Sequence, residues 1–217
     1  MNIGRHEMKD DIELVVFDLF GTLLQTGSGH NPYRKILEWA RLNGRSPRPH
    51  DATTIMTADM SPIELFNAMG ISPSTEMMNK FNKALEADIE SIRLFDDAMS
   101  TLSKLTNKWI RIAICSNLAK PYGAALKLIE DVDYIRCLSF EIGAIKPDPS
   151  VYQYVVEKSG VRKESILFVG DSLNADYQGP REFGIPACHL VRDEASKPTA
   201  PRKHLIHSLT DIFERDL

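Results

Sequence analysis

The chain is 217 residues long, 43% hydrophobic and 26% charged, with a formal net charge of −4 at pH 7. That length suits one sizeable core plus a modest second module. The mild acidity argues against a nucleic-acid binder, and no apolar stretch approaches the ~20 residues of a membrane-spanning helix.

Residues 1–11 are polar and charged, lack the apolar middle of a secretory signal, and read as a frayed extension. Leu14-Val15-Val16-Phe17 reads as a buried strand, stopped by Asp18 and turned away at Gly21 and Thr22. From Gly27 to Arg93 no strand is convincing. Pro32 to Ala40 reads as a helix with Ile36, Leu37 and Ala40 on one face and a stop at Asn43-Gly44. Ser61-Pro62-Ile63-Glu64 has the form of a capping box with proline at the first helical position. A third helix starts at Ser74 or Thr75 and carries Met78, Phe81, Leu85 and Ile89 as a core stripe.

Strands and helices then alternate. Strands are expected over Trp109–Cys115, Tyr134–Phe140, Ser165–Val169 and Ala187–Val191, and helices over Ala119–Ile129, Ser150–Ser159, Asn174–Phe183 and Ser208–Arg215. The proline-rich stretch Arg192 to Lys203 reads as a loop. This pattern predicts an α/β fold with a parallel sheet and crossover helices, interrupted after its first strand by a helical insert. The expected division is a core of residues 1–26 and 94–217 and an insert of residues 27–93, hinged near Gly27–Gly29 and Arg93–Asp96. Cys115, Cys137 and Cys188 are scattered in apolar runs at no metal-ligand spacing, which predicts buried, reduced thiols and a cytoplasmic setting. The histidines, His30, His50, His189, His204 and His207 among them, show no zinc-site spacing and read as surface or packing residues.

Chemistry-bearing residues recur where the strands should end. They are Asp18 and Thr22 in Asp18-Leu19-Phe20-Gly21-Thr22, Ser116-Asn117, Lys146 in Lys146-Pro147-Asp148-Pro149, and Asp171 and Asp176 in Gly170-Asp171-Ser172-Leu173-Asn174-Ala175-Asp176. Carboxylates at the C-terminal edge of parallel strands lie where open α/β sheets bind ligands. Asp18 and Asp171 side by side would repel and raise each other's pKa, a conflict that a hard cation such as Mg²⁺ resolves. Ser116 is placed to donate to an anionic oxygen or to cap the next helix. Asp176 is placed to complete a metal shell through water, to fix Lys146, or to serve a helix N-terminus.

These four motifs, in this order, resemble those of the haloacid dehalogenase-like hydrolases, in the subgroup with a helical cap between the first and second motifs. The resemblance implies a Rossmann-like parallel sheet core with that cap closing over the site. It implies Asp18 as nucleophile, Thr22, Ser116 and Lys146 as catalytic partners, and Ser116, Asn117, Lys146 and the cap residue Arg34 as contacts for a small anionic substrate. It also implies a Mg²⁺ site from Asp18, the backbone carbonyl of Phe20, Asp171 and Asp176. No nucleic-acid or membrane partner is expected, and the sequence leaves the oligomeric state open.

Phe20 departs from the family's phosphatase pattern, Asp-x-Asp-x-Thr, whose second Asp protonates the leaving oxygen and later activates water. Phenylalanine transfers no proton. Three readings follow. One is Mg²⁺-dependent phosphoryl transfer onto Asp18 from a substrate whose leaving group needs little protonation, or slow phosphomonoester turnover. Another is 2-haloacid dehalogenation, in which halide leaves without a proton and an aromatic residue occupies this position. That reading conflicts with the retained Asp171. The third is a regulatory protein that binds anion and metal but turns over poorly.

Overall fold

The computed structural model describes residues 12–27, 29–192 and 200–214. The expected N-terminal extension, Ser28 of the expected hinge, residues 193–199 of the expected loop and the last residue of the expected closing helix lie outside them.

The first strand, β1 (Leu14–Phe17), is wholly buried. It is the middle of the sheet because it is apolar on both faces: Val15 and Phe17 enter the core on one side, Leu14 and Val16 the core on the other. After it come β2 (Leu24–Gln25), helices α1 (Pro32–Leu42), α2 (Asp51–Thr57), α3 (Pro62–Ala68) and α4 (Thr75–Ser91), then β3 (Arg93–Leu94) and α5 (Ala98–Asn107). The chain continues through β4 (Arg111–Ser116), a 3₁₀ helix (Lys120–Ile129), β5 (Ile135–Leu138), α6 (Ser139–Ile142), α7 (Pro149–Ser159) and β6 (Ile166–Gly170). A π turn (Leu173–Gln178) leads into α8 (Gly179–Phe183), followed by β7 (Ala187–Leu190), β8 (Leu205–Ile206) and a last 3₁₀ helix (Leu209–Phe213).

Six strands form one sheet in the order β5-β4-β1-β6-β7-β8, every neighbouring pair parallel. Leaving β1, the sheet is extended first on one side by β4 and later on the other by β6, so the crevice above β1 is a topological switch point. All three cysteines are buried, Cys115 and Cys137 in one core and Cys188 in the other. Burial pushes the Cys137 thiol up to about 12, so it stays protonated at neutral pH.

The insert leaves and re-enters the core through β2 and β3, which pair antiparallel as a two-stranded ribbon. Helices α1–α4 build a third cluster around Ile36, Ile55, Phe66, Phe81 and Leu85, with Met78 partly buried against it. The capping box at Ser61–Glu64 forms. Arg45 holds Asp51 through two 2.6 Å bonds, which pins the start of α2.

Local differences from the sequence reading have physical causes. Helix α2 buries only Asp51 and Ile55, so its apolar periodicity is faint. Helix α5 does have helical spacing, with Ala98, Leu102 and Leu105 buried, but its polar Ser/Thr/Asn content masks it. Strand β4 starts at Arg111, not Trp109. Trp109 takes a left-handed φ of 61° in the turn that ends α5, and is 93% exposed. Phe140 belongs to α6 rather than β5. Strand β8, only two residues long, falls below any periodicity signal.

A clasp behind the site ties these parts together. Arg192, just beyond β7, donates to both oxygens of Asp97 at 3.1 and 2.9 Å and to the Thr22 carbonyl at 2.7 Å. Asp97 also accepts from Ser208 Oγ and the Leu209 amide, each at 2.9 Å. Burial works against the Asp97 charge, but Arg192, Leu209 and Ser208 more than offset it and hold its pKa below the ordinary carboxylate value. A depressed pKa means stability that is fully present above the unfolded value, near ~3.9, and lost as pH falls through the folded one. Asp97→Ala should therefore cost about 3 kcal/mol in urea unfolding at pH 7. The gap to the wild-type chain should shrink near pH ~3; an equal gap at both pH values would rule this account out.

Candidate active site

The sheet edge and the segments beside it gather five of the sequence-predicted side chains into one cluster, four of them buried and Asp171 exposed. Asp18 follows β1 and its amide donates to the Val169 carbonyl at 2.9 Å, which locks it between β1 and β6. Ser116 is the last residue of β4, Asp171 the first after β6, and Asp176 lies in the π turn. Lys146 arrives from the loop between α6 and α7.

Lys146, 3% exposed, is the centre of this cluster. Its Nζ donates to Asp18 Oδ1 at 2.8 Å, Asp176 Oδ1 at 2.6 Å and the Cys115 carbonyl at 2.6 Å. Burial disfavours its charge, but Asp176 and Asp18 overcome that and hold its pKa above the ordinary lysine value. Ser116 Oγ also donates to Asp18 Oδ1, at 3.1 Å. With both bonds on Oδ1, Oδ2 is the oxygen left for an incoming group.

Asp176 accepts the Ser172 amide on its other oxygen at 3.0 Å. Burial raises its pKa and the Asp18 charge adds to this, while Lys146 opposes. Asp171 is raised by crowding among buried neighbours and by the charge of Asp18, although its side chain opens to solvent. Ligand oxygens of Asp18, Asp171 and Asp176 all lie within 4.8 Å of one another. An all-oxygen set of this kind, one member open to solvent, fits a hard divalent cation that keeps several waters. Asp176, with both oxygens engaged, fits an outer position better than a direct one.

The other expected residues fall differently. Thr22 does not join the cluster: its hydroxyl is buried without a hydrogen-bond partner among the described residues, and its carbonyl serves the Arg192 clasp. Asn117 has its side-chain oxygen on the Lys146 amide and its nitrogen on the Lys146 carbonyl, both at 2.8 Å. It therefore positions the lysine loop, and it also borders the cavity described next. Arg34 stays outside the cluster, pairing on α1 with Glu38 at 2.9 Å with 77% of its side chain exposed. The Phe20 ring packs edge-on to Tyr122, centroids 6.0 Å apart, at the wall of a cavity of about 620 Å³ between insert and core.

Some supporting residues carry no signal in linear spacing. His189 Nε2 meets the Asp171 carbonyl at 2.9 Å, while Tyr152, which does stand in the Lys146 motif, donates its hydroxyl to the Ala175 carbonyl at 2.7 Å and braces the π turn that carries Asp176. The expectation of a surface or packing role for His189 misses that contact. Gly21 and Gly170 are needed because a Cβ would strike Asp171 and Asp176 respectively, and Gly21 also takes φ +85°.

A family model described as haloacid dehalogenase-like hydrolase matches residues 12–184. The human haloacid dehalogenase-like hydrolase domain-containing protein 3 is 28% identical over 56% of this chain, and the match spans only 51% of that protein. The (S)-2-haloacid dehalogenase 1 of Pseudomonas sp. (strain CBS-3) is 27% identical over 94% of this chain and 96% of its own. Among solved structures, a HAD phosphatase from Thermococcus onnurineus superposes with TM-score 0.65 at 22% identity, covering 93% of this chain and 96% of that one. Among the described residues, no helix is long and apolar enough to cross a membrane.

The glycine clearances yield a direct test. Gly21→Ala should displace the Asp171 carboxylate and strain the turn, costing about 1–2 kcal/mol of stability. With Asp171 as a ligand of a Mg²⁺ site, Mg²⁺ affinity read by titration calorimetry should fall about tenfold. A variant that binds Mg²⁺ like the wild-type chain would remove Asp171 from the metal site.

Proposed function

The chain belongs to the haloacid dehalogenase-like hydrolases, and from that premise we propose that it is a Mg²⁺-dependent phosphohydrolase. Its substrate is a small phosphorylated metabolite, and the reaction passes through an aspartyl-phosphate on Asp18. The observation that carries this reading is the trio of Asp18, Asp171 and Asp176 gathered around the buried Lys146 ammonium. Of the three, Asp171 weighs most against dehalogenation, whose substrate is itself a carboxylate and whose halide leaves without a metal.

In this reading Asp18 and Asp171, with the Phe20 carbonyl, hold the metal, and Asp176 contributes from the outer shell. When bound, Mg²⁺ supplies positive charge that offsets the carboxylates and the transferring phosphoryl group. Asp18 Oδ2 attacks phosphorus while Ser116 and Lys146, already on Oδ1, fix the carboxylate's orientation. Lys146 and Ser116 also offset charge on the phosphoryl oxygens as it develops. Asn117 holds the lysine loop in register, so the ammonium does not need to be ordered during the reaction.

Phe20 decides the leaving group. With no acid two residues beyond Asp18, the departing oxygen carries its electron pair away unprotonated. The same residue favours a second reading, a 2-haloacid dehalogenase, because halide also leaves without a proton and a relative of that activity aligns over nearly the whole chain.

Two experiments separate these readings. Phosphate release from an acyl phosphate should require Mg²⁺ and stop in EDTA. Halide release from a short 2-haloacid that ignores EDTA would replace this reading with dehalogenation, and Mg²⁺ and phosphate binding without any turnover would make the protein a binding module. Phe20→Asp restores a proton donor and should raise phosphomonoester turnover by about 10²-fold or more. Absence of any gain in a folded, Mg²⁺-binding variant would mean that position 20 does not face the leaving group.

A further inference from the structure

The cavity between insert and core says what kind of leaving group the site takes. At about 620 Å³ it lies within the size range of small-molecule pockets. It adjoins the reacting centre: Phe20, two residues after Asp18, and Asn117, next to Ser116, both line it. Away from that end its walls are apolar, from Leu37 and Ile55 on the insert helices and Leu118 and Tyr122 on the core. Tyr33, from the start of α1, adds a further ring, its centroid 6.3 Å from that of Tyr122 and 5.1 Å from that of Phe81.

Some of the polar groups of this cavity are already committed. Asp88 is buried, and its carboxylate accepts the Tyr122 hydroxyl at 2.9 Å and the His30 amide at 3.2 Å. A carboxylate fixed in that wall repels a second anionic group on the substrate. Two exposed cations also line it, Arg34, which is paired with Glu38, and Arg41. The largely apolar walls of the cavity suit an apolar body, and Phe20 requires that this body depart as a stable anion.

We propose that the substrate is an acyl phosphate with an apolar, ring-sized acyl group, of the chemical class of an aroyl phosphate. The proposal rests on the phosphoryl-transfer reading above and deepens it. In the first step the Asp18 Oδ2–P bond forms and the bond from phosphorus to the acyl oxygen breaks. That oxygen keeps the electron pair and leaves as a carboxylate, so no proton is called for at position 20. In the second step water forms a bond to phosphorus and the P–Oδ2 bond breaks, regenerating the Asp18 carboxylate. Both protons of the water leave with inorganic phosphate. The acyl group's ring occupies the cavity, edge-on or stacked with Phe20, Tyr33 and Tyr122.

Acetyl phosphate and benzoyl phosphate separate this proposal from the reading beneath it, because both release a carboxylate and differ in the apolar body. With Mg²⁺ present, kcat/KM for benzoyl phosphate should exceed that for acetyl phosphate by about tenfold or more, the scale on which apolar pockets discriminate. Leu37→Asn, at a partly exposed wall position, should reduce that ratio by about tenfold. A variant that is merely destabilised would lower both rates and leave the ratio in place, and that result would overturn the assignment of Leu37 and the cavity to the acyl group. Equal kcat/KM for the two substrates in the wild-type chain would overturn the proposal while leaving phosphoryl transfer standing. Turnover of neither, with Mg²⁺ bound, would remove both.

Discussion

One buried ammonium facing three carboxylates is the constraint on which this structure turns. Lys146 bonds Asp18 and Asp176 directly, and Asp171 lies close enough for all three acids to share a single cation. One positive charge cannot balance three negative ones, and the low-dielectric surroundings of a sheet edge make the imbalance costly. The raised pKa values of Asp171 and Asp176 are the visible form of that cost. A hard cation held by these acids would settle it without protonating either one, and its binding would then be coupled to the stability of the cluster. The lysine is kept charged by the same acids that it helps to hold apart.

The fold serves that constraint through its strand order. Asp18, Ser116 and Asp171 end the three central strands, which lie side by side as β4-β1-β6, and parallel pairing puts all three ends on one edge. Close approach is then paid for in missing side chains: Gly21 makes room for Asp171, and Gly170 for Asp176. Lys146 comes from outside the sheet and needs its own fastening, which the paired bonds to the Asn117 amide supply. Behind the site, Arg192 joins the Thr22 carbonyl to Asp97, so the turn after Asp18 and the exit from the insert share one anchor.

The α/β character, the helical insert and the residues of the cluster were legible in the sequence because each depends on local order: an apolar run, then a polar residue at its end. Asp18, Ser116 and Asp171 carry that signature, Asp176 follows as a second acid in the motif that Asp171 opens, and Lys146 is marked by the prolines after it. What escaped was set by tertiary contact. Helix α2 is specified by the Arg45–Asp51 pair more than by periodicity, and the ribbon of β2 and β3 is two residues on each side. His189 reaches the Asp171 carbonyl only because β7 follows β6 in the sheet, an adjacency that no spacing encodes. Asn117 was legible as a site residue, yet its attachment to the Lys146 backbone depends on a loop 29 residues away. Thr22 shows the converse, a motif position whose hydroxyl the fold turns inward.

Phe20 joins these levels. A carboxylate at this position would add a fourth negative charge to the cluster and would face the Tyr122 ring. The phenyl ring instead removes a proton donor and extends the apolar wall in a single substitution. That wall is completed by the insert, which the core holds through the Tyr122–Asp88 bond, the Ser139 hydroxyl on the Met56 carbonyl at 2.6 Å, and the Lys120–Asp59 pair at 2.8 Å. In the proposed reaction, chemistry at the leaving oxygen and selection of the group attached to it are functions of one residue. The aromatic contact from Phe20 to Tyr122, and from Tyr122 to Asp88 on α4, is the route by which the insert's position and the chemistry beneath it meet.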